Sequence, residues 1–357
     1  MLTLRVVQAE EGDCLILRHG TKQKPRFVLI DGGPRGNYAA NLRPELLALA
    51  KAGHRVELMM LSHVDNDHVL GLLDFLVEQA ATPVIDVGEL WHNAFSSTVG
   101  AGSGGDIEPR VRALASTGSH AKVAAATVLG IGEGHRLVTE ARAQGIPVNA
   151  AFGGKPILAR AGQAPVTLGG LKLTVIGPTK ANLEALRKKW HAWLDEREDA
   201  RPEVAAMSDR SIPNLSSLML LAESGGKRLL LTGDGRGDHL VQGLEETGLL
   251  EGGRLHVDVF KLAHHGSDRN TTRELFERIT ADVYVASANG KDGNPDIATL
   301  EWIVEAAQAG KRKVKLMLTN TTPDVKAFVK RFPPAKSGYT ISVMPRTQRA
   351  FEVVVAP

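Results

Sequence analysis

The feature that most constrains this chain is a set of apolar segments that each end on aspartate or histidine. Four segments share this pattern, and they read VLID, VELMMLSHVDNDH, LLLTGD and VFKLAHH. Their apolar parts are short and rich in Val, Leu and Ile, which is typical of buried β-strands. The ends of such strands can meet at one edge of a layered α/β fold, where binding and catalytic groups are common.

The second segment carries four potential metal ligands within six residues: His63, Asp65, Asp67 and His68. Two carboxylates and two imidazoles converging on one loop would repel one another and lose hydration unless a cation neutralised them. Metal binding is therefore the simplest physical account. A solvated polar loop is the alternative, and the Asp and His residues at the other strand ends make it less favoured.

The remaining pattern predicts two series of strands within a single domain of residues 1–357, with an insertion at about 95–165. Short β-rich runs with glycine turns open the chain, and helical spacing over 69–80 places the His/Asp cluster in a strand-to-helix loop. The 95–165 segment is rich in Ala and Gly, with helical patterns at 109–116 and 134–145. Further strands and helices follow to the C-terminus.

Composition gives little information about partners. Lys and Arg total 43 against 40 Asp and Glu, and a net charge of +3 does not by itself indicate a nucleic-acid or membrane partner. The basic run at 311–315 fits the wet face of an edge strand better than a phosphate-binding patch. Cys14 cannot form an internal disulfide and is predicted to be a buried thiol. The start MLTLRVVQAE lacks a secretion-signal pattern and no apolar run reaches membrane-spanning length, so we predict a cytoplasmic protein.

These motifs resemble those of the metallo-β-lactamase superfamily, and within it the ComEC/Rec2-like branch, which is related to the hydrolase domain of bacterial DNA-uptake channels. The similarity rests on Gly12-Asp13, on SHVDNDH from Ser62 to His68, on LTGD from Leu231 to Asp234, and on HHGS from His264 to Ser267. It covers most of the chain outside 95–165.

The resemblance implies an α/β fold of the α+β type, a four-layer αββα sandwich with two divalent metal ions at its edge. His63 and Asp65 would hold the first ion, and Asp67, His68 and His265 the second. Asp234 would bridge the two ions, and Asp31 would orient ligands as an outer hydrogen-bond acceptor.

Two features depart from the family pattern. Asp65 stands where many relatives carry histidine, and no clear histidine lies just before the LTGD strand to complete the first metal's ligands. Asn214 or a water molecule is expected to take that place. Because such a site is rich in oxygen ligands, Zn²⁺ or Mn²⁺, and also Mg²⁺, are compatible with it.

The same resemblance implies a hydrolase that uses metal-activated water, with phosphodiester bonds of nucleic acid or a nucleotide as the expected substrate. Asp67 could accept a proton from the attacking water, and His264 could donate one to the leaving oxygen, contact the substrate or simply pack beside His265. Two alternatives are a hydrolase of a small ester, amide or phosphoester, and a non-catalytic binding module on a decayed hydrolase scaffold. The 95–165 segment lacks the dense Lys, Arg and aromatic residues of a strand-gripping groove, which favours a small molecule.

Overall fold

The computed structural model describes residues 1–94, 98, 122–188 and 216–356, which form two mixed β-sheets with helices on their outer faces. The strands of the first sheet are β1 Leu2–Val7, β2 Leu15–Gly20, β3 Pro25–Ile30, β4 Val56–Met60, β5 Leu90–Trp91 and β14 Ala350–Ala356. They lie in the order β14-β1-β2-β3-β4-β5, and only the β3–β4 and β4–β5 pairs are parallel.

The second sheet contains eight strands among the described residues. They are β6 Val166–Leu168, β7 Leu171–Gly177, β8 Met219–Ser224, β9 Lys227–Leu231, β10 Leu255–Lys261, β11 Ile279–Ala286, β12 Val314–Leu318 and β13 Tyr339–Val343. Their order is β13-β12-β11-β10-β9-β8-β7-β6. The strands from β9 to β13 are parallel, whereas β6, β7 and β8 pair in antiparallel fashion and β8 is antiparallel to β9.

The helices lie before, between and after these strands. In chain order they are α1 Arg43–Lys51, α2 Asn66–Ala81, α3 Lys122–Ala143, α4 at 180–188, α5 Gly237–Glu246, α6 Arg273–Arg278, α7 Ile297–Ala309, α8 Pro323–Arg331 and α9 Pro334–Ser337. The end of α4 lies outside the described residues.

Three buried apolar clusters show that the molecule has four layers. The central cluster joins the facing sides of the two sheets, with Leu4 and Leu17 from one sheet and Leu220 and Leu229 from the other. A second cluster packs α1, α2 and α3 on the outer face of the first sheet. A third packs α5, α6, α7 and α8 on the outer face of the second sheet. The predicted αββα sandwich is confirmed.

The Asp and His residues singled out in the sequence follow strands of both sheets. Asp31 follows β3 and His63 follows β4, while Asp234 follows β9 and the pair His264–His265 follows β10. Backbone hydrogen bonds join these segments, including one from Leu218 N–H to Ser62 O at 2.9 Å and one from His264 N–H to Gly233 O at 3.1 Å. The four strand ends therefore meet at one edge of the sandwich.

Helix α2 begins earlier than the apolar spacing predicts. It starts at Asn66, so that Asp67 and His68 lie in its first turn and not in a loop. Asp65 occupies the N-cap position, yet its side chain accepts no capping hydrogen bond. Its Oδ2 instead lies 3.6 Å from His63 Nε2. The first turn is polar because it faces the site, and this conceals the helix start from a search for apolar periodicity.

A close contact between two glycines fixes α2 against the loop that carries Asp31. Gly32 N–H donates to His68 O at 2.8 Å, and Gly71 N–H donates to Gly33 O at 3.0 Å. A Cβ at Gly71 would lie 1.9 Å from Gly32 O, which leaves no room for any side chain. The absence of a Cβ at this point therefore sets the distance between the helix and the strand end.

We expect Gly71→Ala to lower the free energy of unfolding by about 1–3 kcal/mol, because the added methyl group must displace backbone atoms. Gly132→Ala is the matched control. Gly132 also lies in a helix, is exposed and has nothing within 4 Å of an added Cβ. Its substitution should stabilise the protein slightly through helix propensity. Urea denaturation of both variants tests this, and equal midpoints would contradict the expectation.

Other sequence-based expectations have mixed outcomes. Cys14 is buried as predicted, and burial raises the pKa of its thiol well above the ordinary value. The edge-strand interpretation of residues 311–315 is wrong. β12 lies between β11 and β13, and of the run's lysines only Lys315 is part of the strand. Within the described residues, no helix is long and apolar enough to cross a membrane.

The 95–165 segment is described only in part. Residues 95–97 and 99–121, which include the helical pattern at 109–116, lie outside the described residues. Helix α3 covers the pattern at 134–145 as far as Ala143, and its Leu137 and Ala141 are buried in the same cluster as Phe75 of α2. The insertion itself stays a prediction.

Candidate metal centre

The carboxylate of Asp234 lies at the centre of the site and is almost fully buried. Its Oδ1 lies 3.4 Å from His68 Nε2 and 3.4 Å from His265 Nε2. Its Oδ2 lies 3.6 Å from His63 Nε2 and 3.6 Å from His264 Nε2. One carboxylate thus faces four imidazoles, two on each oxygen, as expected of a ligand that bridges two ions.

Two further carboxylates complete the two sides of this arrangement. Asp67 Oδ2 lies 3.4 Å from His265 Nε2 and 3.7 Å from His68 Nε2, on the side of Asp234 Oδ1. Asp65 lies beside His63, on the side of Asp234 Oδ2. The side chains of Asp65 and Asp67 are 31% and 27% exposed, so the site opens to solvent on their side.

The imidazoles are oriented through their other ring nitrogen. His68 Nδ1 lies 2.9 Å from Asp31 Oδ2. The Ser62 hydroxyl donates to the same Asp31 oxygen at 2.7 Å, which leaves Ser62 Oγ to accept from His63 Nδ1 at 3.0 Å. Proton donation from Nδ1 leaves the lone pair on Nε2, which is the arrangement seen in metal-ligating histidines. The predicted outer acceptor Asp31 therefore orients both rings.

The distances between ligand atoms test whether this group of residues fits a metal. Separations of 3.4–3.7 Å are longer than the usual hydrogen-bond length of about 2.9 Å. Two atoms bound to the same tetrahedral ion at about 2.1 Å lie about 3.4 Å apart. Asp67, His68, Asp234 and His265 each offer a ligand atom within 4.8 Å of all the others.

Unsatisfied polar atoms give an independent test of the same fit. The Nε2 atoms of His63, His68 and His265, and Oδ1 of Asp234, are buried and have no hydrogen-bond partner among the described residues. Burying such atoms without a partner costs about 1–3 kcal/mol each. Divalent cations bound on the two sides of Asp234 would satisfy these atoms, so the residues present fit a divalent metal.

The pKa shifts of the site residues in the metal-free protein also fit a metal site. Burial would raise the pKa of Asp234, but the surrounding imidazoles, with His265 the strongest, hold it well below its usual range. Burial would lower the pKa of His68, but Asp234, Asp67 and Asp31 outweigh it and raise that pKa well above the ordinary value. A raised pKa favours a proton on His68 that offsets the carboxylate charge, and metal binding there would release that proton.

Two residues that sequence reasoning did not place in the site support His265. Asp13 Oδ1 lies 3.5 Å from His265 Nδ1, and Asp13 Oδ2 forms an ion pair of 2.7 Å with Lys261 Nζ. Both side chains of this pair are 1% exposed. The available signal was Lys261 itself, because a lysine inside the apolar run VFKLA needs a buried partner. Asn214, the other predicted outer residue, lies outside the described residues.

Comparisons with known proteins do not identify a family. No protein-family model matches the chain, and no curated protein matches it. Among solved structures, the chain is similar to a protein described as a metal-dependent hydrolase from Parabacteroides distasonis, at 10% identity and a TM-score of 0.38 over 88% of this chain and 92% of that one. It is also similar to one described as a diphosphatase of the PhnP family, at 11% identity and a TM-score of 0.40 over 99% and 97% of the two chains. Neither likeness bears on the function of this chain, because the identities and scores are low.

Proposed function

We propose that this protein is a metal-dependent hydrolase with a dinuclear site that acts on phosphodiester bonds of nucleic acid or a nucleotide. The observation that carries the proposal is the Asp234 carboxylate, which presents one oxygen to His68 and His265 and the other to His63 and His264. Bound there, two divalent ions would lower the pKa of a water molecule to give the nucleophile and would offset negative charge on the substrate.

The chain's own groups would complete the reaction. Asp67 faces the site from the first turn of α2 and is partly open to solvent. It is therefore placed to accept a proton from the attacking water. The outer partners Asp31 and Ser62 hold the imidazoles of His63 and His68 in one orientation, so that the ligands are arranged before any ion binds. This nearly complete ligand set disfavours a decayed, non-catalytic scaffold.

The substrate class rests on the sequence resemblance to the ComEC/Rec2-like branch and on the suitability of two metals for displacement at phosphorus. A small ester, amide or phosphoester is the second candidate, because the 95–165 segment is poor in Lys, Arg and aromatic residues. Zn²⁺ and Mn²⁺ are both compatible with the mixed nitrogen and oxygen ligands.

The test is hydrolysis of bis(p-nitrophenyl) phosphate and of single- and double-stranded DNA, with Mn²⁺, Zn²⁺ or a chelator. Activity should require metal and should disappear in both Asp67→Ala and His265→Ala. Asp238→Ala is the matched control, since this carboxylate lies nearby in the chain but is exposed and paired with Arg236. That variant should retain full activity.

Each outcome separates the parts of the proposal. Turnover of DNA or the phosphodiester would support it as stated. Two bound ions without phosphodiester turnover would overturn the substrate class and leave small esters, amides and lactones to be assayed. A purified protein that binds no divalent ion under any condition would overturn the hydrolase proposal itself.

A further inference from the structure

We infer that His264 completes the first metal site as a direct ligand through Nε2, in the place where the sequence offers no histidine before the LTGD strand. This inference rests on the proposed dinuclear function. It replaces a proton-donating role with a metal-binding one, and it makes the HHGS motif supply one ligand to each ion.

The position of the His264 imidazole ring is the first observation that supports this inference. His264 Nε2 lies 3.6 Å from Asp234 Oδ2, and His63 Nε2 lies 3.6 Å from the same oxygen. These distances match those between His68, His265 and Asp234 Oδ1 on the other side, which are 3.4 Å. His264 therefore lies on the first side of the site, at the same distance from Asp234 Oδ2 as His63.

Hydrogen bonding around the ring decides which nitrogen carries the proton. His264 Nδ1 lies 2.6 Å from Asn270 Oδ1, and the amide group of Asn270 donates to Asp234 O at 3.2 Å. Because this donation fixes the amide's orientation, its oxygen faces the histidine and must accept from Nδ1–H. The lone pair is then on Nε2, the atom that faces Asp234, as in His63 and His68.

The backbone shows how consecutive residues reach opposite oxygens of one carboxylate. His264 has φ 47° and His265 has φ 58°, so both lie in the left-handed region. This conformation is strained in residues other than glycine and persists where the surrounding structure requires it. His264 N–H donates to Gly233 O, and Asn294 Nδ2 donates to His264 O, which hold the turn in place. The turn directs both rings to Asp234.

The donor set of the first ion would then be His63, Asp65, Asp234 and His264, two nitrogens and two oxygens. Such a set matches the four-coordinate preference of Zn²⁺ in the number and kind of its donors. Its ligand atoms do not all lie within 4.8 Å of one another, so binding of the first ion would have to draw these side chains together. It also removes the need for Asn214 in the first coordination shell. Asn214 and His264 are therefore rival ligands, and substitution can separate them.

The decisive variant is His264→Gly, because glycine adopts the left-handed conformation without strain and leaves a space the size of an imidazole ring. We would titrate metal-free wild type, His264→Gly and Asn214→Ala with Co²⁺, following visible absorption and the amount of metal retained after desalting. His264→Gly should retain the ion held by Asp67, His68 and His265 and bind the first ion at least about 100-fold more weakly, exceeding the usual cost of losing an outer partner. Added imidazole should restore the wild-type spectrum.

A second substitution, His264→Asn, keeps a residue that tolerates the left-handed region and offers an oxygen ligand. It should give an intermediate affinity, with an altered Co²⁺ spectrum. Unchanged binding of two ions in His264→Gly would overturn the inference while leaving the hydrolase proposal intact. So would loss of the first ion in Asn214→Ala alone. Failure of the wild type to bind Co²⁺ would instead overturn the proposed function.

Discussion

Replacing Asp234 with asparagine should reduce the number of divalent ions retained by the proposed dinuclear site from two to at most one and lower kcat/KM of the proposed hydrolysis by at least about 10³-fold. The loss should exceed the 10–100-fold that removing an outer partner costs, because Asp234 faces ligands of both ions. Asparagine keeps the shape but removes the charge, and its NH₂ group cannot bind metal. Metal content by mass spectrometry and turnover with saturating metal measure the two effects.

The control for this prediction is Asp238→Asn, an exposed carboxylate four residues further along the chain. It should retain both ions and normal turnover. Circular dichroism in the presence of chelator would show whether either variant has lost its fold. Two ions held at wild-type affinity by Asp234→Asn would contradict the bridging role.

Breaking the buried pair of Lys261 and Asp13 should give the largest loss of stability. We expect Lys261→Met and Asp13→Leu each to lower the free energy of unfolding by about 3–5 kcal/mol, because each leaves the other charge buried without its partner. The double variant should lose less free energy of unfolding than the two single variants lose together, since apolar replacement of both members of a buried pair is often tolerated. Guanidinium denaturation in chelator measures these differences without a contribution from bound metal.

Measurements of metal affinity separate two roles of the Lys261–Asp13 pair, its contact with His265 and its contribution to folding stability. Asp13 faces His265 Nδ1, so both variants that lack Asp13 should bind metal about 10–100-fold more weakly even where the double variant is stable. Wild-type metal affinity in the stable double variant would show that Asp13 serves the fold alone.

The same pair predicts how acid affects the metal-free protein. Burial would raise the pKa of Asp13, but Lys261 and His265 outweigh it and lower that pKa below its usual value. The folded state then binds fewer protons than the unfolded state at acid pH. The pair's contribution is present above the unfolded-state pKa of about 4 and is lost as pH falls below it. The variant that lacks both Asp13 and Lys261 should lose less folding stability over that pH range than the wild type does.

Much of the architecture could be predicted because it depends on local patterns. The apolar runs before Asp31, His63, Asp234 and His264 are recognisable as strands without knowledge of their partners. That their ends share one edge follows from the layered fold, which the sequence resemblance implied. The kinds of candidate ligand, carboxylate and imidazole, could be predicted from the clustering of Asp and His in the sequence alone.

The features that escaped prediction depend on contacts between distant parts of the chain. Lys261 and Asp13 are paired across most of the sequence, and no local pattern links them. The orientation of His264 depends on left-handed backbone angles and on Asn270, neither of which residue spacing reveals. The basic residues near β12 suggested an edge because composition cannot show that β13 adds beyond it.

The meeting of His68 and His265 at Asp234 Oδ1 has a consequence for the whole molecule. An ion held by His68 and His265 would close a loop of about 200 residues of chain, because these ligands come from opposite halves of the sequence. In this respect a bound metal would act as a cross-link, much as a disulfide does in a secreted protein. The supply of metal would therefore affect the lifetime of the folded protein as well as the proposed activity.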